Sequence, residues 1–166
     1  MQRTLIMIRH AKAVWASPLE NDFDRSLSER GKNEAIDIGK RLKKLNINPD
    51  LILSSPSKRT TQTSKRIAEA LDYDTGKIQY MEKLYHCIPT VFEEIMHDMV
   101  GPGVKTLVFV AHNPGITEFV NRLSHSFSID DLPTCGVVGA HFKAAEWSTF
   151  ATTYEKEVFL FEFPKI

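Results

Sequence analysis

An arginine and a histidine stand side by side at Arg9-His10, directly after the apolar run Leu5-Ile6-Met7-Ile8. A guanidinium offers fork-like donors that match phosphate oxygens, and an imidazole can act as a nucleophile near neutral pH. Two other segments carry related chemistry. Ser54-Ser55-Pro56-Ser57-Lys58-Arg59 sets a second arginine behind Leu51-Ile52-Leu53, and His112-Asn113 sets a second imidazole behind Thr106-Leu107-Val108-Phe109-Val110-Ala111. Each polar group follows a strand-like apolar stretch. Parallel strands of one sheet present their carboxyl ends on a common rim, where ligands of open α/β sheets bind. Two guanidiniums, two imidazoles and helix N-termini meeting there suit a tetrahedral dianion. Taken singly, each residue has a plainer reading: a salt-bridged strand-end arginine, a hydrogen-bonded structural histidine, a surface arginine, a cap before Pro114. The agreement of three separate segments is what favours a site.

The elements that must position these residues follow from the apolar pattern. Thr4 to Ile8 reads as a strand covered on both faces, and His10 to Leu27 as mostly loop, broken by Ser17-Pro18. Ser28 is placed to cap a helix carrying Ala35, Ile38, Leu42 and Leu45, ended by Asn46, Asn48 and Pro49. Asp50 to Ser54 is a second strand, and Ser55-Pro56-Ser57 opens a helix with Thr63, Ile67, Ala68 and Leu71 on its packing face. Ile78 to Met81 is read as a short third strand. A helix from Pro89 carries Val91, Phe92, Ile95, Met96 and Met99 before the break Gly101-Pro102-Gly103. The buried strand Thr106 to Ala111 precedes a helix with Ile116, Phe119, Val120 and Leu123. Gly136–Phe142 and Glu157–Phe163 read as a paired tail around a connection containing Trp147. Alternating strands and helices predict one three-layer αβα domain over residues 1–166 with a mostly parallel sheet.

Composition sets outer limits. The 166 residues are 42% hydrophobic and 25% charged, with 21 Lys+Arg against 21 Asp+Glu. That balance speaks against a general nucleic-acid-binding or polybasic membrane protein. Cys87 and Cys135 form neither a disulfide framework nor a zinc spacing, and no metal site is expected. No signal-peptide pattern and no bilayer-length apolar run is visible, so a cytoplasmic protein is the expectation. A G-x-S-x-G elbow, a Walker A loop and a G-x-G-x-x-G turn are all missing, which disfavours serine hydrolases and the common nucleotide binders.

Four motifs in order resemble those of the histidine phosphatase superfamily, the phosphoglycerate-mutase-like fold, and within it the short phosphohistidine phosphatase branch. They are Arg9-His10-Ala11, Asp24-Arg25-Ser26-Leu27-Ser28-Glu29-Arg30-Gly31, Ser55-Pro56-Ser57-Lys58-Arg59-Thr60-Thr61-Gln62-Thr63, and Ala111-His112-Asn113-Pro114-Gly115. The resemblance implies that His10 attacks phosphorus and forms a covalent phosphohistidine that water later hydrolyses. Its other ring nitrogen then needs an acceptor, such as a backbone carbonyl, to fix the tautomer. Arg9 and Arg59 would hold the equatorial oxygens, and His112 would donate to them as charge accumulates. Asn113 and Arg25 would add substrate contacts, with Lys12 and Lys58 extending the basic surface. Trp15, Tyr85 and Trp147 are aromatic candidates for the mouth, with core or partial burial the more usual place for at least one of them. No metal or cofactor is implied, because the arginines take the role that magnesium plays elsewhere.

The proton donor departs from the family pattern. Where an acid is expected after a Leu-Tyr pair, the chain reads Leu84-Tyr85-His86, so His86 is the first candidate for the general acid and Glu82, Asp22 and Asp24 are alternatives. The implied substrate is a phosphorylated protein carrying phosphohistidine, since residues 72–103 are too few for a large lid. A small phosphomonoester, a mutase reaction, or a catalytically inactive phosphate-binding module are the competing readings.

Overall fold

The computed structural model describes residues 1–153 and 156–165; the connection around Trp147 is therefore described only on either side of residues 154 and 155, and Ile166 also lies outside. Strand β1 (Gln2–Arg9) points Leu5 and Met7 to one face and Ile6 and Ile8 to the other, and all four are fully buried. A strand covered on both sides must be apolar at successive positions, which explains its unbroken hydrophobic run. β2 (Leu51–Ser54) and β4 (Thr106–Ala111) obey the same rule. With β3 (Gln79–Tyr80), β5 (Val137–Lys143) and β6 (Glu157–Glu162) they form one sheet in the order β3-β2-β4-β1-β5-β6. The four strands from β3 to β1 pair in parallel; β5 and β6 add antiparallel pairs.

Helices α1 (Glu29–Lys44) and α2 (Lys58–Ala70) cover one face, setting Ala35, Ile38, Leu42 and Ile67 against Ile6, Ile8, Val108 and Val110. Helices α3 (Pro89–Met99) and α4 (Gly115–Val120) cover the other, where Phe92, Ile95 and Phe119 meet Leu5, Met7 and Phe109. The result is the three-layer αβα arrangement with a mostly parallel sheet. Among the described residues no helix is long and apolar enough to cross a membrane.

Two expectations need correction, and one alternative left open is resolved. The third strand spans two residues rather than Ile78 to Met81, because 3₁₀ turns at Thr75–Lys77 and Glu82–Leu84 take up its flanks. α4 stops at Val120: the Asn121 side chain bonds the Ile129 backbone at 2.9 and 2.8 Å, and Leu123, though buried, sits in the turn beyond. Trp147 is core rather than mouth. It is fully buried, edge-on to Phe142 at 5.2 Å, and its indole N–H donates to the Val104 carbonyl at 2.6 Å.

Candidate active site

The sheet order puts the carboxyl ends of β2, β4 and β1 next to one another. The register pairs Ser54 with Val110 and Arg9 with Ala111, so Ser55, His112 and His10 emerge on one rim. The His10 amide donates to the Ala111 carbonyl at 3.1 Å, and its carbonyl accepts from Cys135 at 2.9 Å. Its Nδ1 lies 2.7 Å from the Ala11 carbonyl, which can only accept, so Nδ1 carries the proton and Nε2 keeps its lone pair. Arg59 Nε donates to that Nε2 at 3.3 Å. Burial first, and then the charges of Arg59, Arg9 and Arg25, push the imidazole down to about 3 despite the Ala11 bond. His10 is therefore an uncharged imidazole with its free nitrogen aimed at a guanidinium.

Arg59 sits in the first turn of α2, after the Ser57 cap, and is 1% exposed. A cation there opposes the helix dipole, a local penalty that an anion in the same place would relieve. One turn on, the Thr63 hydroxyl donates to the Arg59 carbonyl at 2.8 Å and accepts from the Ala11 amide at 3.0 Å. The spacing of four between Arg59 and Thr63 thus ties the helix to the segment behind His10. Thr63, read from sequence as part of a packing face, is a brace for the site. A second brace is close packing at Gly31, where a Cβ would come 2.2 Å from the Lys12 carbonyl. No larger residue fits between α1 and this segment.

His112 is buried with its Nε2 2.7 Å from the Ser55 hydroxyl and its Nδ1 3.4 Å from Arg59 Nη2. Burial, followed by His10, Arg59 and His86, pushes it down to about 2. A hydroxyl can donate as well as accept. Arg59 Nη2 can only donate, so facing it Nδ1 accepts and Nε2–H donates to Ser55; an oxyanion on the Nδ1 side reverses the pair, the Ser55 hydroxyl donating to Nε2 and an uncharged His112 offering its Nδ1 proton. The ring centroids of His10 and His112 are 5.4 Å apart. Positions 10, 59 and 112 therefore lie close enough to grip one phosphoryl group.

His86 joins them from the turn after Glu82–Leu84, held at φ 50°, a left-handed conformation uncommon for a side-chain-bearing residue. Its segment packs tightly on α4, where a Cβ at Gly115 would stand 2.0 Å from the Cys87 carbonyl. His86 Nε2 lies 3.3 Å from Arg59 Nη2 and 2.8 Å from Asp22 Oδ2, and its ring is 4.6 Å from that of His112. Asp22 Oδ2 also accepts from the Tyr85 hydroxyl at 2.5 Å and Arg59 Nη2 at 2.9 Å, while Oδ1 accepts from Arg25 at 3.2 Å. Burial raises the Asp22 pKa, but the hydrogen bonds from Tyr85, His86, Arg59 and Arg25 outweigh it and hold the carboxyl far below the ordinary range.

These groups surround a concavity of about 390 Å³ that Arg9, Arg25 and Asn113 also line. Arg9 Nη1 donates to the Leu132 carbonyl at 2.8 Å, and Arg25 lies over the Trp15 ring at 4.3 Å. The Nε of each is buried without a partner among the described residues. Asn113 offers less than expected. Its amide nitrogen is engaged by Asp131 at 2.6 Å and Leu132 at 3.3 Å, and its oxygen accepts from Thr117 at 2.6 Å, so it braces the rim. Glu82 and Asp24 are exposed in 3₁₀ turns and do not line the concavity, whereas the other two candidate acids, His86 and Asp22, do. Lys58 is likewise exposed and outside the lining, whereas Lys12 contributes to it. A larger hollow of about 630 Å³ beside β5 and β6 holds His141, but no guanidinium lines it.

The family model of the histidine phosphatase superfamily, branch 1, matches residues 5–98, a span that contains Arg9, His10, Arg59 and His86. An uncharacterized chloroplastic protein of Arabidopsis thaliana is 30% identical over 137 residues, covering 75% of this chain and 60% of that protein. A 2,3-bisphosphoglycerate-dependent phosphoglycerate mutase of Bartonella henselae is 37% identical over 76 residues, covering 43% of this chain and 36% of the enzyme. The chain thus spans between about a third and three-fifths of the length of these relatives. A solved structure from Agrobacterium tumefaciens, provisionally described as the phosphohistidine phosphatase SixA, superposes with a TM-score of 0.80 at 27% identity over 98% of both chains. The protein histidine phosphatase SixA complexed with tungstate shares the fold, with a TM-score of 0.81 at 17% identity over 97% of both chains.

Proposed function

Because the chain belongs to the histidine phosphatase superfamily, we propose that it is a metal-independent phosphatase working through a phosphohistidine formed on His10. The observation that carries this reading is the uncharged His10 with its Nε2 directed into a nest of Arg59, His112 and His86. Nε2 attacks phosphorus, and the bond to the leaving atom breaks as that atom takes a proton from His86. Arg9, Arg59 and the Nδ1–H of His112 stabilise the equatorial oxygens, where negative charge gathers. In the second half a water attacks the phosphorus, His86 takes back a proton, and the P–N bond breaks to release inorganic phosphate and His10. Guanidinium groups supply all the positive charge this needs.

The substrate that the surroundings favour is phosphohistidine on a protein. Trp15, 56% exposed, carries Arg25 on its ring, and Phe23, 40% exposed, packs edge-on to Tyr85 at 5.2 Å. Exposed aromatic rings packed on residues of a polar site suit contact with a macromolecular surface. The shared fold alone does not choose the substrate, since a mycobacterial glucosyl-3-phosphoglycerate phosphatase has it too, with a TM-score of 0.67. The test is turnover of a phosphohistidine peptide, a phosphoserine peptide and sugar phosphates, with H10A as the control. Preference for phosphohistidine supports the reading. Preference for sugar phosphates moves the assignment to small-molecule hydrolysis, and no turnover at all refutes it.

A further inference from the structure

Arg59 is already committed to a carboxylate of its own chain. Its Nη2 donates to Asp22 Oδ2 at 2.9 Å and its Nη1 to the Asp22 carbonyl at 2.6 Å, while Nε faces His10. A phosphorus within attacking distance of His10 Nε2, about 3–3.5 Å, brings its oxygens to the same guanidinium edge. One guanidinium fork would then face two anions a few ångströms apart. Resting on the phosphatase reading above, we infer that Asp22 is an internal competitor for the substrate's phosphoryl group, which must displace its carboxylate from Arg59 and which it helps to expel as inorganic phosphate.

The surroundings fit an exchange of this kind. Asp22 belongs to a single 3₁₀ turn, Asp22–Asp24, with no buried residue, so its side chain can shift without disturbing the core. The carboxylate has partners that do not depend on Arg59: the Tyr85 hydroxyl at 2.5 Å, His86 Nε2 at 2.8 Å and Arg25 Nη1 at 3.2 Å. A carboxylate displaced from Arg59 stays tied to His86, beside the leaving atom. When phosphate has formed, the same carboxylate is the nearest anion available to reclaim the guanidinium. The competitor therefore weakens binding of both substrate and product while holding the proton donor in place.

The alternative role for Asp22, a fixed brace that orients Arg59 for phosphate, predicts the opposite sign. Calorimetric binding of tungstate and of inorganic phosphate to the whole chain separates the two. A unit charge about 4 Å from a bound anion is worth roughly fivefold at the dielectric of water and more in a half-buried site, so D22N is expected to bind tungstate about tenfold more tightly. D22S, which removes the charge together with the reach of the side chain, should shift affinity the same way. In steady state D22N lowers KM and kcat together, with stronger inhibition by phosphate. Unchanged or weaker tungstate binding in D22N and D22S overturns the inference, and if the wild type turns over normally the phosphatase reading survives that failure. If the wild type takes up no tungstate, both fall.

Discussion

Ser55→Ala isolates one hydrogen bond. Ser55 is fully buried, and its backbone bonds to Val110 (3.0 Å) and from Thr60 (2.7 Å) do not involve the hydroxyl. The substitution removes the 2.7 Å contact to His112 Nε2 and little else. Without a donor at Nε2, the nearby Arg59 Nη2 draws the lone pair to Nδ1, and the ring proton moves to Nε2, away from the site. Loss of a preorganised oxyanion donor costs about 10²–10³ in rate when it is complete. A tautomer change leaves part of the population competent, so a fall in kcat of about 10- to 100-fold is expected. The unpaired buried nitrogen should also lower stability by about 1–3 kcal/mol, a drop in Tm of a few degrees. The assay is a double-mutant cycle in kcat over wild type, S55A, H112A and S55A/H112A, with Tm for each. Because the hydroxyl acts through His112, S55A should change kcat little once His112 is gone. An equal effect in both backgrounds, or full activity in S55A, refutes the tautomer argument.

Gly31→Ala forces a Cβ into the space of the Lys12 carbonyl, so it should reduce kcat/KM at least tenfold through the displaced His10 segment, while circular dichroism retains the αβα signature. Acid should destabilise the protein before its carboxylates titrate. His10 and His112 sit at about 3 and about 2 when folded, so below about pH 6.5 the unfolded chain binds protons the folded one refuses, and stability falls progressively from there toward pH 3. Urea midpoints at pH 7, 5.5 and 4 should decline, and His112→Gln should flatten the decline; an unaltered slope in that variant contradicts the assignment. Chelators should leave phosphatase turnover unchanged, and restoration of lost activity by a divalent ion would overturn the guanidinium-only account of charge.

Much of the rim was legible because strands announce their own ends. Arg9, His10 and His112 come directly behind an apolar run and Arg59 in the first helical turn after one, and a parallel sheet turns that order into proximity. What sequence left open depends on the path of the segment between Ala11 and Leu27, which has no hydrophobic period to follow. That path is set by tertiary bonds: Thr63 to Ala11 at 3.0 Å, Gln62 to Leu27 at 2.7 Å, and Arg59 to Asp22. Asp22 was consequently visible only as one of several candidate acids, while the structure gives it the carboxylate that Tyr85, His86 and Arg59 all reach. Ser55 headed a recognisable motif, but its role was not legible, since its partner lies 57 positions away. Trp147 stayed open between core and mouth because an isolated tryptophan suits either; its packing in the cluster with Phe142 and Phe150 decides it.

The decisive measurement is the identity of the covalent intermediate. The chain should be mixed with a ³²P-labelled phosphohistidine peptide and denatured within milliseconds in alkali. An acid-labile, alkali-stable label is expected on the peptide containing His10, formed and lost at rates that match turnover and missing in H10A. Turnover with no labelled protein, or a label that persists in H10A, would contradict it.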